Sequence, residues 1–377
     1  MKKVSFKQKV RNMRIQNIRM SQLNKKNKKY IKKFTKNKQQ SRLIITLFMP
    51  QFITIFFNKN RGKLLKITNK LRDFYFRKDI CIKLDFSETK KMFSEGTLYL
   101  LAELETLKIT NPDIQFSLIP SKEVIVNQVL KQTGILELLG VSLNFEDVEF
   151  DETVKYWKYS SGYNVEMDSA EDMLDDFDDL LSKSSSTSIF NSITEAVTNC
   201  HHHAYLDKRF ITDPMKAKKW WIFSQEKDDK LCICVCDLGI GISKSLLRNS
   251  DNVAEDWFAK LKFFLKSHKE KYDQDSASIK AAIEIGNTRT NLVNRGKGLN
   301  QIINQISTLC DHKASIAILS NKGSYIINRG MIKDRPLTGI VDGFSLPFKQ
   351  SIDGTVILWE VPIDRQISDN DSGVSHE

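Results

Sequence analysis

The chain has 377 residues, of which 41% are hydrophobic, so it is long enough to bury a core in more than one domain. Its six cysteines are few and unevenly placed, which argues against a disulfide-rich secreted protein and favours a reducing, cytoplasmic location. The formal net charge of +12 is a misleading average, because residues 1–72 carry 22 Lys and Arg and no acid, while the remainder carries 36 basic and 46 acidic residues.

Residues 1–42 form a strongly basic extension that begins MKKVSFKQKVRNMRIQNIRM. Clustered Lys and Arg side chains neutralise phosphates on RNA, DNA or acidic lipids without reading a base sequence. Few aromatic residues interleave the lysines, so base stacking is not predicted. Two interpretations stay open: a segment that binds nucleic acid, and a solvated, partly helical extension without a fixed partner.

The most apolar stretch is LIITLFMPQFITIFF, residues 43–57. A membrane-spanning helix needs about 20 apolar residues, and here Pro50 and Gln51 interrupt the run. The pattern predicts a strand, a turn and a helix start in a soluble core, with a membrane-surface segment as the less favoured interpretation. No transmembrane segment is predicted, and no apolar run of the signal-peptide kind directly follows the basic start.

Strands and helices alternate over residues 43–145. ICIKLDFS (80–87) has apolar side chains at every second position, which predicts a strand, and DIQFSLI (113–119) is a second predicted strand. Alternating strands and helices indicate an α/β fold in which helices cover a sheet.

Two helices are predicted between and after these strands. EGTLYLLAELETLKI (95–109) has the apolar spacing of a helix packed through one face. SKEVIVNQVLKQTGILELLG (121–140) predicts one helix that Ser121 caps and that ends before Gly140.

The stretch LDFSETKKMFSEGTLYLLAEL resembles STAS domains, the small α/β modules of the anti-sigma-factor antagonists. The resemblance implies a STAS-like α/β domain over residues 43–145. Phosphorylated members of that family carry a pair of serines after an Asp at the turn before the helix. Here the turn reads Phe93-Ser94-Glu95-Gly96, so phosphorylation of Ser94 is not predicted, and Glu95 is expected to start the helix, where a carboxylate favours the dipole.

Residues 146–185 are acidic and then serine-rich, which is typical of a connector. An acidic helix is expected within it, followed by a flexible turn, and the helix faces a core through Met173, Leu174, Phe177, Leu180 and Leu181. The second domain is expected over residues 186–365, with a C-terminal tail at 366–377.

The segment SIFNSITEAVTNCHHHAY (188–205) has one apolar helical face. Glu195 and Asn199 are four residues apart, so both project from one side of the predicted helix. A carboxylate and a carboxamide are hard oxygen ligands and suit Mg²⁺ and a water molecule.

Three further segments carry glycines beside polar residues. In LCICVCDLGIGI a strand ends at Asp237, and the glycines that follow let backbone approach a ligand closely. In NTRTNLVNRGKGLNQIINQI a glycine-rich loop enters an amphipathic helix, which suits phosphate binding with Arg289, Arg295 and Lys297 as cations. DGTVILWEVPI is a strand that opens on Gly354-Thr355.

In this order the four segments resemble the GHKL superfamily of histidine-kinase-like ATPases, which includes gyrase, heat-shock chaperone ATPases, mismatch-repair ATPases and histidine kinases. The resemblance covers some 175 residues. The wording EAVTNCHHHAY is most similar to the anti-sigma-factor serine kinases, in which a His and an aromatic residue follow the Asn. The implied fold class is α/β, a STAS-like domain followed by an α/β sandwich ATP-binding domain of the Bergerat type.

The resemblance implies a role for each matched residue at the reacting phosphates. Glu195 would be the general base that orients water or an acceptor hydroxyl, and Asn199 would coordinate the Mg²⁺ that bridges the phosphates of ATP. His203, four residues after Asn199, would face the nucleotide. The phosphate-enclosing lid would contain Arg289, Gly296, Lys297 and Gly298.

At the adenine, the same resemblance implies that Asp237 binds the amino group and that Thr355 assists through its hydroxyl and a water. Gly239 and Gly241 would shape the adenine pocket. Residues 242–288 form a long insertion where the family has a short approach to the lid, so this segment is an alternative candidate for a partner surface.

The three consecutive histidines do not predict a zinc site. His201, His202 and His203 lie about 100° apart on a helix and cannot all meet one metal. The alternating cysteines of LCICVCD share one strand face, which predicts core packing.

The favoured function is an ATPase or a serine/threonine protein kinase that uses ATP and Mg²⁺ in regulation or signalling, because a pure binder needs no base at Glu195. The alternative is a nucleotide-gated binding module that does not hydrolyse ATP, and nucleic-acid binding by residues 1–42 is compatible with either. A histidine kinase that phosphorylates itself in cis is excluded, because no His precedes His201. A protein partner or phosphoacceptor is expected, and a homodimer stays open.

Deleting residues 1–42 is expected to weaken binding of RNA or duplex DNA and to make the affinity less dependent on salt concentration. Lysines that bind phosphates release counterions, and the deletion would remove this contribution. Fluorescence anisotropy with labelled RNA and DNA at several salt concentrations measures both quantities. Unchanged affinity after the deletion would remove the nucleic-acid interpretation.

Overall fold

The computed structural model describes most of the chain after the basic extension. The described residues are 42–145, 149–155, 157–163, 165, 170, 173, 175, 180–206, 218–249, 259, 262, 263, 265–267, 273–285, 298–308, 314–328 and 343–363. The proposed nucleic-acid segment and most of the predicted acidic helix therefore lie outside the described part. From Ile44 onward the chain forms one compact unit of mixed α/β structure.

The amino-terminal layer, residues 43–140, contains a three-stranded sheet with the order β1-β3-β5. Strands β3 and β5 are parallel. A two-stranded sheet pairs β2 with β4. The bounds are β1 Leu43–Phe48, β2 Phe52–Ile53, β3 Ile80–Asp85, β4 Lys91–Met92 and β5 Gln115–Ile119, with helices α1 Asn58–Arg72, α2 Ser94–Thr110, α3 Val124–Gln132 and α4 Ile135–Leu139.

Helix α2 differs from its prediction in how it packs. The apolar spacing predicted a helix buried through one face, yet α2 is buried nearly all round, from Ser94 to Leu104. It packs against α1 and α4, and also against strands of a second sheet. Both sides are covered because the helix lies inside the molecule rather than at its surface.

The prediction of a single helix over residues 121–140 is wrong. The segment forms two helices, α3 and α4, because Gly134 between them adopts the left-handed conformation with φ of 73°. Ser121 does not cap α3, whose N-cap is Glu123; the Ser121 hydroxyl instead donates to the Thr89 carbonyl. Gly140 ends α4 as predicted, again with a left-handed backbone.

The second half of the described chain is organised by a six-stranded sheet with the order β10-β9-β11-β8-β7-β6. The pairings among β7, β8, β9, β10 and β11 are antiparallel, as is that of β6 with β7. The bounds are β6 Lys158–Gly162, β7 Trp220–Lys227, β8 Lys230–Asp237, β9 Ser315–Ser320, β10 Gly323–Asn328 and β11 Thr355–Pro362, with α5 Glu152–Lys155, α6 Lys183–Asn199, α7 Ile242–Asn249, α8 Gln274–Ile285 and α9 Gly298–Thr308.

Both faces of this sheet are buried. On one face Ile233, Val235 and Trp359 join the core formed with α6, α8 and α9. On the other face, the intervening residues Cys234, Cys236 and Leu358 join the core of the amino-terminal layer. The amino-terminal layer and the sheet therefore share one continuous hydrophobic core.

The edge strand β6 lies in the segment that was expected to be a connector. Its residues Lys158–Gly162 pair with Ser224–Trp220 of β7. The sequence KYSSG has little apolar character, so the usual alternating pattern of a strand is missing from it.

The cysteines pack as predicted wherever the structure describes them. Cys234 and Cys236 are fully buried in the shared core, and Cys200 is buried beside the helix that precedes it. Cys232 lies 3.5 Å from the Ser94 hydroxyl. Ser94 is itself buried in this contact.

Within the described residues, every helix is too short or too polar to cross a lipid bilayer. Residues 43–57 form strand β1, a turn, the short strand β2 and the approach to α1, which begins at Asn58. The predicted strand and turn are present, but a second short strand follows the turn and the helix begins only at Asn58, after the stretch ends.

Replacing Gly96 by Ala is expected to lower the free energy of unfolding by about 1–3 kcal/mol. A Cβ at this position would lie 2.5 Å from the Ile53 carbonyl oxygen and 2.5 Å from the Thr54 Cα, and neither backbone atom can move freely. Denaturant titration measures the loss.

The matched control is Gly62→Ala, also in a helix of the same layer. There the added Cβ would meet the end of the Gln350 side chain at 2.7 Å, which can rotate away. Ala is favoured over Gly inside a helix by about 1 kcal/mol, so stability is expected to be unchanged or slightly higher. Equal losses in the two variants would contradict the packing argument.

Candidate functional site

Helix α6 carries Glu195 and Asn199 near its end. The Ser182 hydroxyl caps its start by accepting a hydrogen bond from the Ser185 amide. The apolar face, including Ile189 and Ile193, is buried in the core next to the sheet. The four-residue spacing leaves Glu195 and Asn199 half-buried on the adjacent side of the helix, as predicted.

The first residue of α9, Gly298, lies directly against these two side chains. A Cβ on Gly298 would lie 2.5 Å from Nδ2 and 2.8 Å from Oδ1 of Asn199, and it would also collide with the Glu195 carboxylate. A side chain at this position would therefore displace the ends of both side chains. The segments around Glu195 and Gly298, about 100 residues apart in the chain, therefore meet, and we call Glu195, Asn199 and Gly298 the amide end of the site.

One polar atom of the amide end has no hydrogen-bond partner among the described residues. Among the described residues, nothing accepts a hydrogen bond from Nδ2 of Asn199, although this atom is buried. Burial raises the pKa of Glu195 above its ordinary value, and the nearby His202 acts in the opposite direction. A buried amide donor without a partner is costly.

The histidines follow in a π-helical turn, Cys200–Ala204, rather than in a continued α-helix. The rings of His201 and His202 are 5.5 Å apart between centroids, and those of His202 and His203 are 6.1 Å apart. Within the described chain, no three His, Cys, Asp or Glu side chains are grouped to hold a metal ion.

Strand β8 ends at Asp237, and the chain then turns sharply. The Asp237 carboxylate accepts a hydrogen bond of 2.8 Å from the Gly239 amide, which fixes its orientation. Gly239 packs so closely on the carbonyl of Ala204 that a side chain there would collide with it. The Ile240 amide donates to that same carbonyl at 2.8 Å, so the turn is attached to the end of the helix that carries Asn199.

Gly354 and Thr355 lie beside Asp237. Two features require glycine at position 354. Its backbone is left-handed, with φ of 75°, and a Cβ there would collide with the Asp237 carbonyl and lie 2.6 Å from Oδ1 of Asp237. Thr355 is the register partner of Asp237 in β8 and of Ser320 in β9. We call Asp237, Gly239–Gly241, Gly354 and Thr355 the aspartate end of the site.

Some residues that shape the aspartate end were not predicted. The Thr355 hydroxyl lies 3.2 Å from the Ser320 hydroxyl, which also accepts a hydrogen bond from the Ile242 amide at 2.8 Å. The Tyr205 hydroxyl accepts a hydrogen bond from the Leu238 amide at 3.0 Å. Tyr205 belongs to the quoted segment EAVTNCHHHAY, so its aromatic character was a usable signal.

Asn321 also belongs to this set. It is buried in a left-handed conformation with φ of 53°, and its Nδ2 donates to the Ile240 carbonyl at 3.2 Å. Its amide occupies the space that a side chain on Gly241 would need. The signal available from the sequence was the turn SNKG, in which Asn tolerates the left-handed conformation.

The structure thus brings together most of the sequence-predicted site residues that it describes. Glu195, Asn199 and Gly298 meet at the amide end, and the predicted aspartate, glycines and threonine meet at the aspartate end. His203 lies in the π-helical turn between the two ends. Outside the described residues are Arg289, Gly296, Lys297 and part of the insertion 242–288, namely 250–258, 260, 261, 264, 268–272 and 286–288.

The chain has no significant match among protein-family models, curated proteins or solved structures. The evidence for a function is therefore in the side chains of the two ends and in the hydrogen bond from the Ile240 amide to the Ala204 carbonyl, which connects them.

The pKa of Glu195 is expected to lie above the ordinary value of 4.5, because burial disfavours the charged carboxylate. Carboxyl ¹³C chemical shifts followed against pH report this value. His202→Gln should raise the pKa further, since the imidazole opposes the effect of burial, whereas His201→Gln is the matched control. A pKa at or below 4.5 in the parent chain would contradict this environment.

Proposed function

We propose that the chain binds Mg-ATP between the amide end and the aspartate end and that it hydrolyses ATP or transfers its terminal phosphate. The observation that supports this most is the convergence of the four glycine-bearing and polar segments. Gly298 rests on Glu195 and Asn199, while the turn after Asp237 is bonded to Ala204, at the end of the same helix. This is the arrangement that the resemblance to GHKL ATPases implies.

In this proposal the aspartate end recognises the base. Asp237 offers a carboxylate acceptor, which suits the amino group of adenine. The paired hydroxyls of Thr355 and Ser320, 3.2 Å apart, provide a polar position beside it for a bridging water. Gly239 and Gly354 pack too closely on Ala204 and Asp237 for a side chain, which holds the backbone beside the Asp237 carboxylate in one arrangement.

The amide end faces the phosphates. The first N–H groups of a helix lack partners within the helix, so the start of α9 at Gly298 suits a phosphate. Burial raises the pKa of Glu195, which makes its carboxylate a stronger base toward water or an acceptor hydroxyl.

The residues fit a magnesium ion at the amide end. Asn199 supplies a carboxamide oxygen, a hard ligand for the ion, and its orphaned NH₂ donor suits a phosphate oxygen beside it. Bound Mg²⁺ would neutralise charge on the phosphates. Asn199 would hold the ion, and Glu195 would orient the attacking group, since positioning and charge neutralisation dominate phosphoryl transfer.

Replacing Asp237 by Asn is expected to abolish ATP binding. Asn still accepts from the Gly239 amide, but it presents an NH₂ donor where the carboxylate presents an acceptor to the adenine amino group. Calorimetric titration with Mg-ATP measures binding. The control is Asp228→Asn in the turn between β7 and β8, where φ of 53° tolerates Asn; this variant should bind like the parent.

In the same proposal, Glu195→Ala spares ATP binding and removes turnover. Incubation with ATP labelled on the γ-phosphate shows whether label ends on free phosphate, on protein or nowhere. Free phosphate indicates an ATPase, and labelled protein indicates a kinase. A parent chain that binds ATP without moving the label would be a nucleotide-gated binding module, and unchanged turnover in Glu195→Ala would refute the assignment of the base.

A further inference from the structure

The aspartate end is attached to the amino-terminal layer through Arg61 of helix α1. This arginine is fully buried, and its guanidinium donates to three backbone carbonyls rather than to a carboxylate. The distances are 2.8 Å to Ile55, 3.0 Å to Gln350 and 2.7 Å to Asn321. Burial lowers the pKa of Arg61 to about 10, so the group stays charged at neutral pH.

The contact with Asn321 reaches the glycine turn of the site. The Asn321 carbonyl that accepts from Arg61 also accepts from the Ile352 amide at 3.1 Å. Its side chain donates to the Ile240 carbonyl and fills the space against Gly241. Arg61 is therefore connected through Asn321 to the turn Gly239–Gly241, which follows Asp237.

A second connection runs from Arg72, at the end of the same helix, to Asp353. Arg72 forms ion pairs with Glu103 of α2 and with Asp353. The Tyr99 hydroxyl accepts hydrogen bonds from Arg72 at 3.0 Å and from the Asp353 amide at 3.1 Å. Asp353 immediately precedes Gly354, which lies against Asp237.

From these two connections we infer that Arg61 and Arg72 are positioning residues, which hold the aspartate end in the shape that binds the base without touching the ligand. The inference rests on the proposed function, since it assigns the base to that end. Both arginines connect to residues next to Gly241 and Gly354. The amide end is built from α6 and α9, so base affinity and phosphate affinity should respond differently.

The test compares Arg61→Lys and Asp353→Asn with the parent chain. Lys keeps the charge but not the forked donors, and Asn keeps the shape of Asp353 while removing its charge, so both changes are mild enough for folding to be checked by thermal melting. Arg77→Met is the matched control, because Arg77 is an exposed arginine of the same layer. Displacement of a fluorescent ATP analogue by Mg-ATP, adenosine and Mg-tripolyphosphate gives the three affinities.

In each variant the affinity for Mg-ATP and the affinity for adenosine should fall by the same factor, about tenfold or more. The reason is that each variant loses hydrogen bonds that involve a charged group. Affinity for tripolyphosphate should stay at the parent value, and Arg77→Met should bind all three like the parent. Equal losses for ATP and tripolyphosphate would indicate a general structural effect and would overturn the inference. Parent-like ATP affinity in both variants would overturn it as well.

Hydrogen exchange separates this inference from the proposed function. In the chain without nucleotide, Arg61→Lys should speed exchange at the amides of Gly239, Ile240 and Ile352, while the β7–β8 turn exchanges as in the parent. If the parent binds neither ATP nor adenosine, the proposed function fails, yet faster exchange at these amides would still support positioning by Arg61. Parent-like exchange there would refute the positioning role whatever the chain binds.

Discussion

The six-stranded sheet is buried on both faces, and this constraint determines where a ligand can reach it. Along β8 the side chains alternate between Ile233 and Val235 on one face and Cys234 and Cys236 on the other, each within a core. A covered sheet offers access only at its strand ends. Asp237, Ser320 and Thr355 are neighbours in register at one such end, and this is where the candidate site lies.

The two layers are joined by buried charges as well as by apolar packing. Glu105 of α2 accepts from the Lys219 ammonium at 2.8 Å, and Arg72 of α1 forms a second pair across the layers with Asp353. Buried ion pairs of this kind add little net stability, but breaking one of them is costly, so they favour one relative position of the layers. The same contacts connect the ion pairs to the candidate site. The Lys219 carbonyl accepts a hydrogen bond from the Tyr205 hydroxyl, and Arg72 pairs with Asp353, which precedes Gly354.

Local patterns in the sequence predicted several helices and strands correctly. They could not predict contacts between residues that are far apart in the sequence. Strand β3, helix α2, the strand that ends at Asp237 and the common side of Glu195 and Asn199 all follow from spacing. The break at Gly134 was missed because the apolar pattern continues across it. Asn321 and Arg61 were missed because their contact joins residues 260 positions apart, which no periodicity reveals. The resemblance to GHKL ATPases stays a prediction.

The alternation along β8 has a consequence for how the chain can change in length. Losing or gaining one residue within Lys230–Asp237 would move every side chain to the opposite face, because strand periodicity is two. The small thiols would then meet α6 and α9, the branched aliphatic groups would meet α2, and the terminal carboxylate would rotate out of its pocket. A one-residue insertion or deletion should therefore be far better tolerated in a connecting segment than within β8.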